Sequence, residues 1–230
     1  MFDLETVEDS IADILQEKNI ETYTFNVVGT GPGDKPDTIG NPHETNVNIA
    51  RQYIEEFKID FVLAYSYGAL VLNDLLDDLP ECVKGIILLD PYTKICPGVP
   101  VPTGDKKTIT QQQVLDQLEW FGANIKKEIL QDYLFKLNNG NDLVTAAYTA
   151  QHVRNNYLNF ISVENITKLL SFKLQTFFTS SSVDAVRSKL PHKFYPDASH
   201  WILLERARYQ LADDIKLAIV QWIEQGTPNA

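Results

Sequence analysis

Three residue types in this chain could share one reaction. Ser66 lies in Ala64-Tyr65-Ser66-Tyr67-Gly68, His200 in Asp197-Ala198-Ser199-His200-Trp201, and two aspartates, Asp90 and Asp184, fall between them. A serine hydroxyl is a poor nucleophile until a neighbouring imidazole takes its proton. That imidazole needs a carboxylate to hold its tautomer and to stabilise the cation that forms. The chain order is Ser…Asp…His, and the sequence leaves both Asp90 and Asp184 open as the carboxylate. The chemistry is acyl transfer through a covalent serine intermediate, which requires no metal and no organic cofactor.

Such groups work only if secondary structure brings them to one place. Phe61-Val62-Leu63-Ala64 has the length and composition of a buried strand, and Ala69-Leu70-Val71-Leu72 with Leu75 and Leu76 has helical spacing. Ser66 between them sits on a sharp strand-to-helix turn, the G-x-S-x-G pattern with Ala64 at the first glycine. Small residues are expected at Ala64 and Gly68 because strand and helix backbones nearly touch there. Lys84-Gly85-Ile86-Ile87-Leu88-Leu89-Asp90 reads as a second buried strand ending in an aspartate. Phe172–Phe178 and His192–Tyr195 read as two more, the first followed by Thr179–Asp184 and the second leading to His200. Strands alternating with helices predict an α/β fold with a mostly parallel sheet, whose ligands bind outside the carboxyl ends of the strands.

The remaining elements are read the same way. Thr6 to Lys18 is a predicted helix with Thr6 as N-cap, stopped at Asn19, and Glu21–Val28 a predicted strand running into Gly29-Thr30-Gly31-Pro32-Gly33. These glycines do not make a dinucleotide site, because Pro32 and Pro36 break the chain where that site needs a helix. After a loop from Gly33 to Thr45, a helix is expected from Asn46 to Phe57. Residues 92–170 depart from the strand rhythm and carry helical patterns at 114–121, 125–137 and 143–157. A connection of that size suits a helical lid inserted into a core made of residues 1–91 and 171–230. A closing amphipathic helix carries Leu211, Ile215, Ala218, Ile219 and Trp222.

On Ala64-Tyr-Ser-Tyr-Gly68, Lys84–Asp90 and Ser199-His-Trp-Ile-Leu-Leu-Glu205, the chain resembles the α/β-hydrolase family. Within it, AYSYGALVLNDLL followed by VKGIILLDPY is most similar to the thioesterase domains of fatty-acid, polyketide and nonribosomal-peptide synthases. The resemblance implies an α/β-hydrolase core, shortened at its N-terminus, with Asp90 as triad acid. The more general family pattern would choose Asp184. It also implies the Tyr67 N–H as one oxyanion donor; the loop that usually supplies the second would precede Met1, so either another N–H substitutes, such as one from the Gly29–Gly33 turn, or catalysis is weak or needs no oxyanion. Asn26 stands where the family's turn usually carries aspartate. The implied activity is hydrolysis of an ester or thioester with an apolar or polyketide-like acyl group, including a carrier-protein-bound one. Transfer, lyase or cyclisation chemistry on the same triad is the alternative, as is a non-catalytic binding protein.

Tyr65 and Tyr67 flank the serine and could line an acyl-binding pocket. Trp120, Phe121, Tyr133, Phe135, Tyr148 and Tyr157 make the expected lid aromatic. His43 in a proline-rich loop, His152 in a lid helix and His192 at a strand start are expected at the surface without a catalytic role.

Composition excludes other classes. With 31 acidic and 20 basic residues the net charge is −11, which disfavours nucleic acid or an anionic membrane as partner. Cys82 and Cys96 lack metal-ligand spacing and read as reduced thiols. With an acidic N-terminus and no apolar signal region, they point to the cytoplasm. The sheet edge left by a missing strand is where self-association or a partner chain would fit.

Overall fold

The computed structural model describes residues 10–25, 42–91, 107–110, 143–146, 160, 162–182 and 184–225. Helix α1, Ile11–Glu17, opens on a capping box: the Ser10 hydroxyl accepts from the Asp13 N–H while the Asp13 carboxylate accepts from the Ser10 N–H. The N-cap is therefore Ser10, not Thr6, which lies outside the described residues. Asn19 ends the helix with φ 63°, a left-handed conformation that asparagine tolerates better than most residues. The expected strand at Glu21–Val28 is absent over residues 21–25, and the rest lies outside the described residues.

Helix α2 spans Pro42–Glu56, four residues longer at its start than the apolar periodicity predicts. Proline at the first helical position loses no hydrogen bond, since that N–H has no intrahelical partner. Strand β1, Phe61–Tyr65, leads through Ser66 and Tyr67 into helix α3, Gly68–Leu75, which tightens into a 3-10 turn at Leu76–Asp78. Strand β2 is Gly85–Leu89.

Two short strands follow, β3 at Lys107–Thr110 and β4 at Leu143–Ala146, paired antiparallel. The start of the helical pattern expected at 143–157 is thus a strand. Four apolar-rich residues fit either period, and the pairing with β3 decides. The aromatic residues expected in the lid, with His152 and Cys96, lie outside the described residues, as does the Gly29–Gly33 turn.

The main sheet resumes after helix α4, Val163–Leu170, with strand β5, Lys173–Thr179; a single helical turn α5, Asp184–Arg187; and strand β6, His192–Tyr195. Helix α6, Arg208–Glu224, closes the described chain. The order is β1-β2-β5-β6, every pair parallel.

Both faces of the sheet are covered, which is why β2 is apolar at every position after Gly85. Ile86 and Leu88 enter the core under α2, α3 and α4, with Leu70, Leu169 and Phe178. Ile87 and Leu89 enter the opposite core under α1 and α6, with Ile14, Phe177, Leu211 and Ile215. Alternation along a strand makes this division. Gly85 is required by a close approach: a Cβ there would stand 2.9 Å from the Trp222 ring and 3.1 Å from the Lys173 carbonyl oxygen. At Gly68 the expected crowding is not found, since a Cβ would meet nothing within 4 Å among the described residues. Among the described residues, no helix is long and apolar enough to cross a membrane.

Candidate active site

Parallel strands deliver their carboxyl ends to one edge, and the sheet's hydrogen bonding continues past two of them. The Ser66 N–H donates to the Leu89 carbonyl at 3.1 Å, and the Asp90 N–H to the Phe177 carbonyl at 2.8 Å. Both residues have positive φ, 49° at Ser66 and 37° at Asp90. A side chain held in that region costs of order 1–3 kcal/mol and persists only where surrounding structure fixes it. Here the strand-to-helix reversal and the shared ladder do so, and each side chain leaves the plane of its strand.

His200 joins the two. Its Nε2 lies 2.8 Å from Ser66 Oγ, and its Nδ1 lies 2.5 Å from Asp90 Oδ2. With Asp90 ionised, Nδ1–H donates to the carboxylate, and Nε2 is left as the acceptor for the serine hydroxyl. Asp90 is 2 % exposed. Burial alone pushes its carboxyl pKa up, but the hydrogen bond and charge of His200 and the donors Ser182 and Thr179 together outweigh burial and hold it below its ordinary value. The Thr179 N–H reaches Asp90 Oδ1 at 3.1 Å, and the Ser182 hydroxyl donates to the same oxygen. The carboxylate is therefore satisfied on both oxygens, as a buried charge must be.

The loop carrying His200 is fastened at several points. The His200 N–H donates to Ser181 Oγ at 3.1 Å. The Ser199 N–H donates to Glu205 Oε2 at 3.1 Å, and its hydroxyl to Oε1. The Tyr65 hydroxyl donates to the His200 carbonyl at 2.5 Å, while the Tyr65 ring stacks on the imidazole at 5.3 Å and 29°. The expectation that Tyr65 lines an acyl pocket rests on its place beside Ser66; in the structure its hydroxyl faces the histidine loop. Asp184 begins the single turn α5, and His192 is exposed at the start of β6, as expected.

His43 departs from its sequence reading. It stands in the first turn of α2 and is 5 % exposed, with Nδ1 2.6 Å from the Tyr67 hydroxyl and Nε2 2.9 Å from Asp74 Oδ2. Pattern reasoning misses it because its partners are 24 and 31 residues away. A histidine directly after Asn-Pro, at a helix start, is the one local hint.

No family profile matches the sequence, and no curated protein does. Solved structures do. Monoacylglycerol lipase from Paleococcus ferrophilus is 15% identical, with 92% of this chain and 86% of that one covered at a TM-score of 0.59. Tomato methylketone synthase I, as a variant complexed with beta-ketoheptanoate, is 11% identical over 92% of both chains at 0.64. The pyrethroid hydrolase PytH is 14% identical over 91% of both chains at 0.61. The chain has the α/β-hydrolase fold, a parallel sheet flanked by helices.

Proposed function

We propose that this protein is a serine hydrolase that cleaves an ester or thioester with an apolar acyl group. The observation that carries the reading is one imidazole bridging a serine hydroxyl at 2.8 Å and a buried carboxylate at 2.5 Å. The fold it shares with a lipase and a pyrethroid hydrolase supports the same class.

In this mechanism Ser66 Oγ attacks the carbonyl carbon as its proton passes to His200 Nε2. Negative charge collects on the carbonyl oxygen, where the Tyr67 N–H serves as a donor. Asp90 holds the imidazolium and is not itself protonated. Collapse breaks the bond to the alcohol or thiol, which leaves with the proton from Nε2. Water then gives a proton to Nε2 and attacks the acyl carbon, and Ser66 departs with that proton. A carrier-bound thioester is the substrate most in keeping with the thioesterase likeness. An acceptor other than water would turn the same steps into acyl transfer, which product analysis distinguishes.

A fluorophosphonate probe tests the reading. Covalent labelling at Ser66 is expected, lost in Ser66→Ala and His200→Ala, with turnover of a p-nitrophenyl ester reduced by roughly 10⁴–10⁶. Asp90→Asn should lower kcat by about 10³–10⁴, whereas Asp184→Asn should leave it within about threefold. A folded wild-type protein that binds ligand yet resists the probe would make it a binding protein. Full turnover in Asp90→Asn would overturn the triad.

A further inference from the structure

Beside the histidine that faces Ser66, the molecule buries a second histidine, His43, which pairs with the more exposed carboxylate of Asp74 and is aimed at the next residue. We infer that His43, braced by Asp74, is a positioning residue: it fixes Tyr67 so that the peptide N–H of residue 67 stays turned toward the forming oxyanion. The inference rests on the reading of Ser66 as the nucleophile.

The geometry is a closed ring of contacts. Tyr67 is the N-cap of α3, with φ −58° and ψ −29°, and its buried side chain leaves the turn toward α2. There its hydroxyl meets His43 Nδ1 at 2.6 Å, with the two rings edge-on at 5.7 Å and 74°. His43 Nε2 meets Asp74 Oδ2 at 2.9 Å. Asp74 lies about two turns further along α3, on the same face as Tyr67. With Asp74 ionised, Nε2–H donates to it and Nδ1 accepts the phenol proton, so the tautomer is set by the carboxylate. Asp74 is held in turn: Asn73 Nδ2 donates to Oδ1 at 3.4 Å, and Asn73 Oδ1 accepts from Asn165 of α4 at 2.7 Å.

The peptide between residues 66 and 67 needs such a tether. Ser66 is held at φ 49°, and rotation about the two torsions flanking that peptide, ψ of Ser66 and φ of Tyr67, would turn the Tyr67 N–H away. Rotation would also drag the Tyr67 ring, and the bond to His43 resists that movement. The link between α2 and α3 thereby bears on the direction of a donor it does not itself touch.

The test uses His43→Ala, Tyr67→Phe and their combination in the full chain. The readouts are kcat and KM on a p-nitrophenyl ester, the inhibition constant of a trifluoromethyl ketone whose adduct carries the oxyanion, and the rate of fluorophosphonate labelling. Either single change should lower kcat about 10- to 100-fold, with KM within about twofold. Ketone binding should weaken in parallel. The double variant should be no worse than the weaker single, because both cut one link. His43→Asn, which keeps an acceptor near the Nδ1 position, should recover most of the loss.

Unchanged kcat and labelling in folded His43→Ala, with only the melting temperature lowered, would make the pair a structural staple and sink the inference alone. Should His43→Ala not fold, Tyr67→Phe decides the matter on the same readouts. A wild-type protein that resists labelling would instead remove the Ser66 reading on which the inference stands.

Discussion

The phenol of Tyr65 shows how closely one side chain can be tied to the behaviour of another. Its ring lies along the His200 imidazole and its hydroxyl holds the same residue's carbonyl. Tyr65→Phe keeps the stack and removes the hydrogen bond, so it should cost about 1 kcal/mol of stability and leave kcat within a few-fold. Tyr65→Ala removes both and frees the imidazole to swing, so kcat should fall by about tenfold or more. Urea unfolding and ester turnover, measured on both variants, separate the contributions. Equal kcat in the two variants would mean that the stack does not orient His200. Ser199 and Glu205 act on the same loop, through a buried carboxylate that accepts from the Ser199 N–H and hydroxyl.

Among the elements, β2 carries the greatest constraint. It pairs on both sides, sends alternate residues into the two cores, and ends at Asp90. Its entry point at Gly85 abuts the Trp222 ring and the Lys173 backbone. A neighbouring strand's carbonyl cannot retreat as a flexible side chain could. Gly85→Ala should therefore destabilise by about 1–3 kcal/mol through overpacking, read as a shift in the urea midpoint at unchanged kcat per folded molecule.

The strands of the main sheet were the elements legible in the sequence. The apolar runs at 61–64 and 86–89 announce buried strands, Phe172–Phe178 was placed within one residue of Lys173–Thr179, and His192–Tyr195, though mostly exposed, matched its expected bounds. What escaped depended on partners distant along the chain. The Asn46 start expected for α2 followed apolar periodicity, whereas the helix begins at Pro42 and places His43 against Tyr67 and Asp74. Thr6 and Ser10 are both good N-cap residue types. Each has an acidic residue three positions on, Asp9 and Asp13, so spacing does not choose between them; in the structure the box closes between Ser10 and Asp13.

At the scale of the whole molecule, one buried charge couples the candidate site to folding. The Asp90 carboxyl has a folded pKa below its ordinary value, for the reasons given above. Such a group adds stability that is fully present above its unfolded value of about 3.9 and is lost as pH falls through the folded value. Below about pH 4, the wild-type protein should therefore lose stability more steeply than Asp90→Asn. Melting temperatures of the two across pH 7 to 2.5 check this; parallel curves would show that Asp90 titrates alike in the folded and unfolded chain.

The left-handed backbone at residue 66 has a further consequence for anyone engineering this protein. Glycine would occupy φ 49° with no steric penalty, so a stability-guided redesign that matched each residue to its torsion angles would rank Ser66 among its first replacements. The resulting chain would be hardier and, on the reading proposed for this serine, inert. Thermal robustness alone is therefore the wrong objective for selecting improved variants of this molecule.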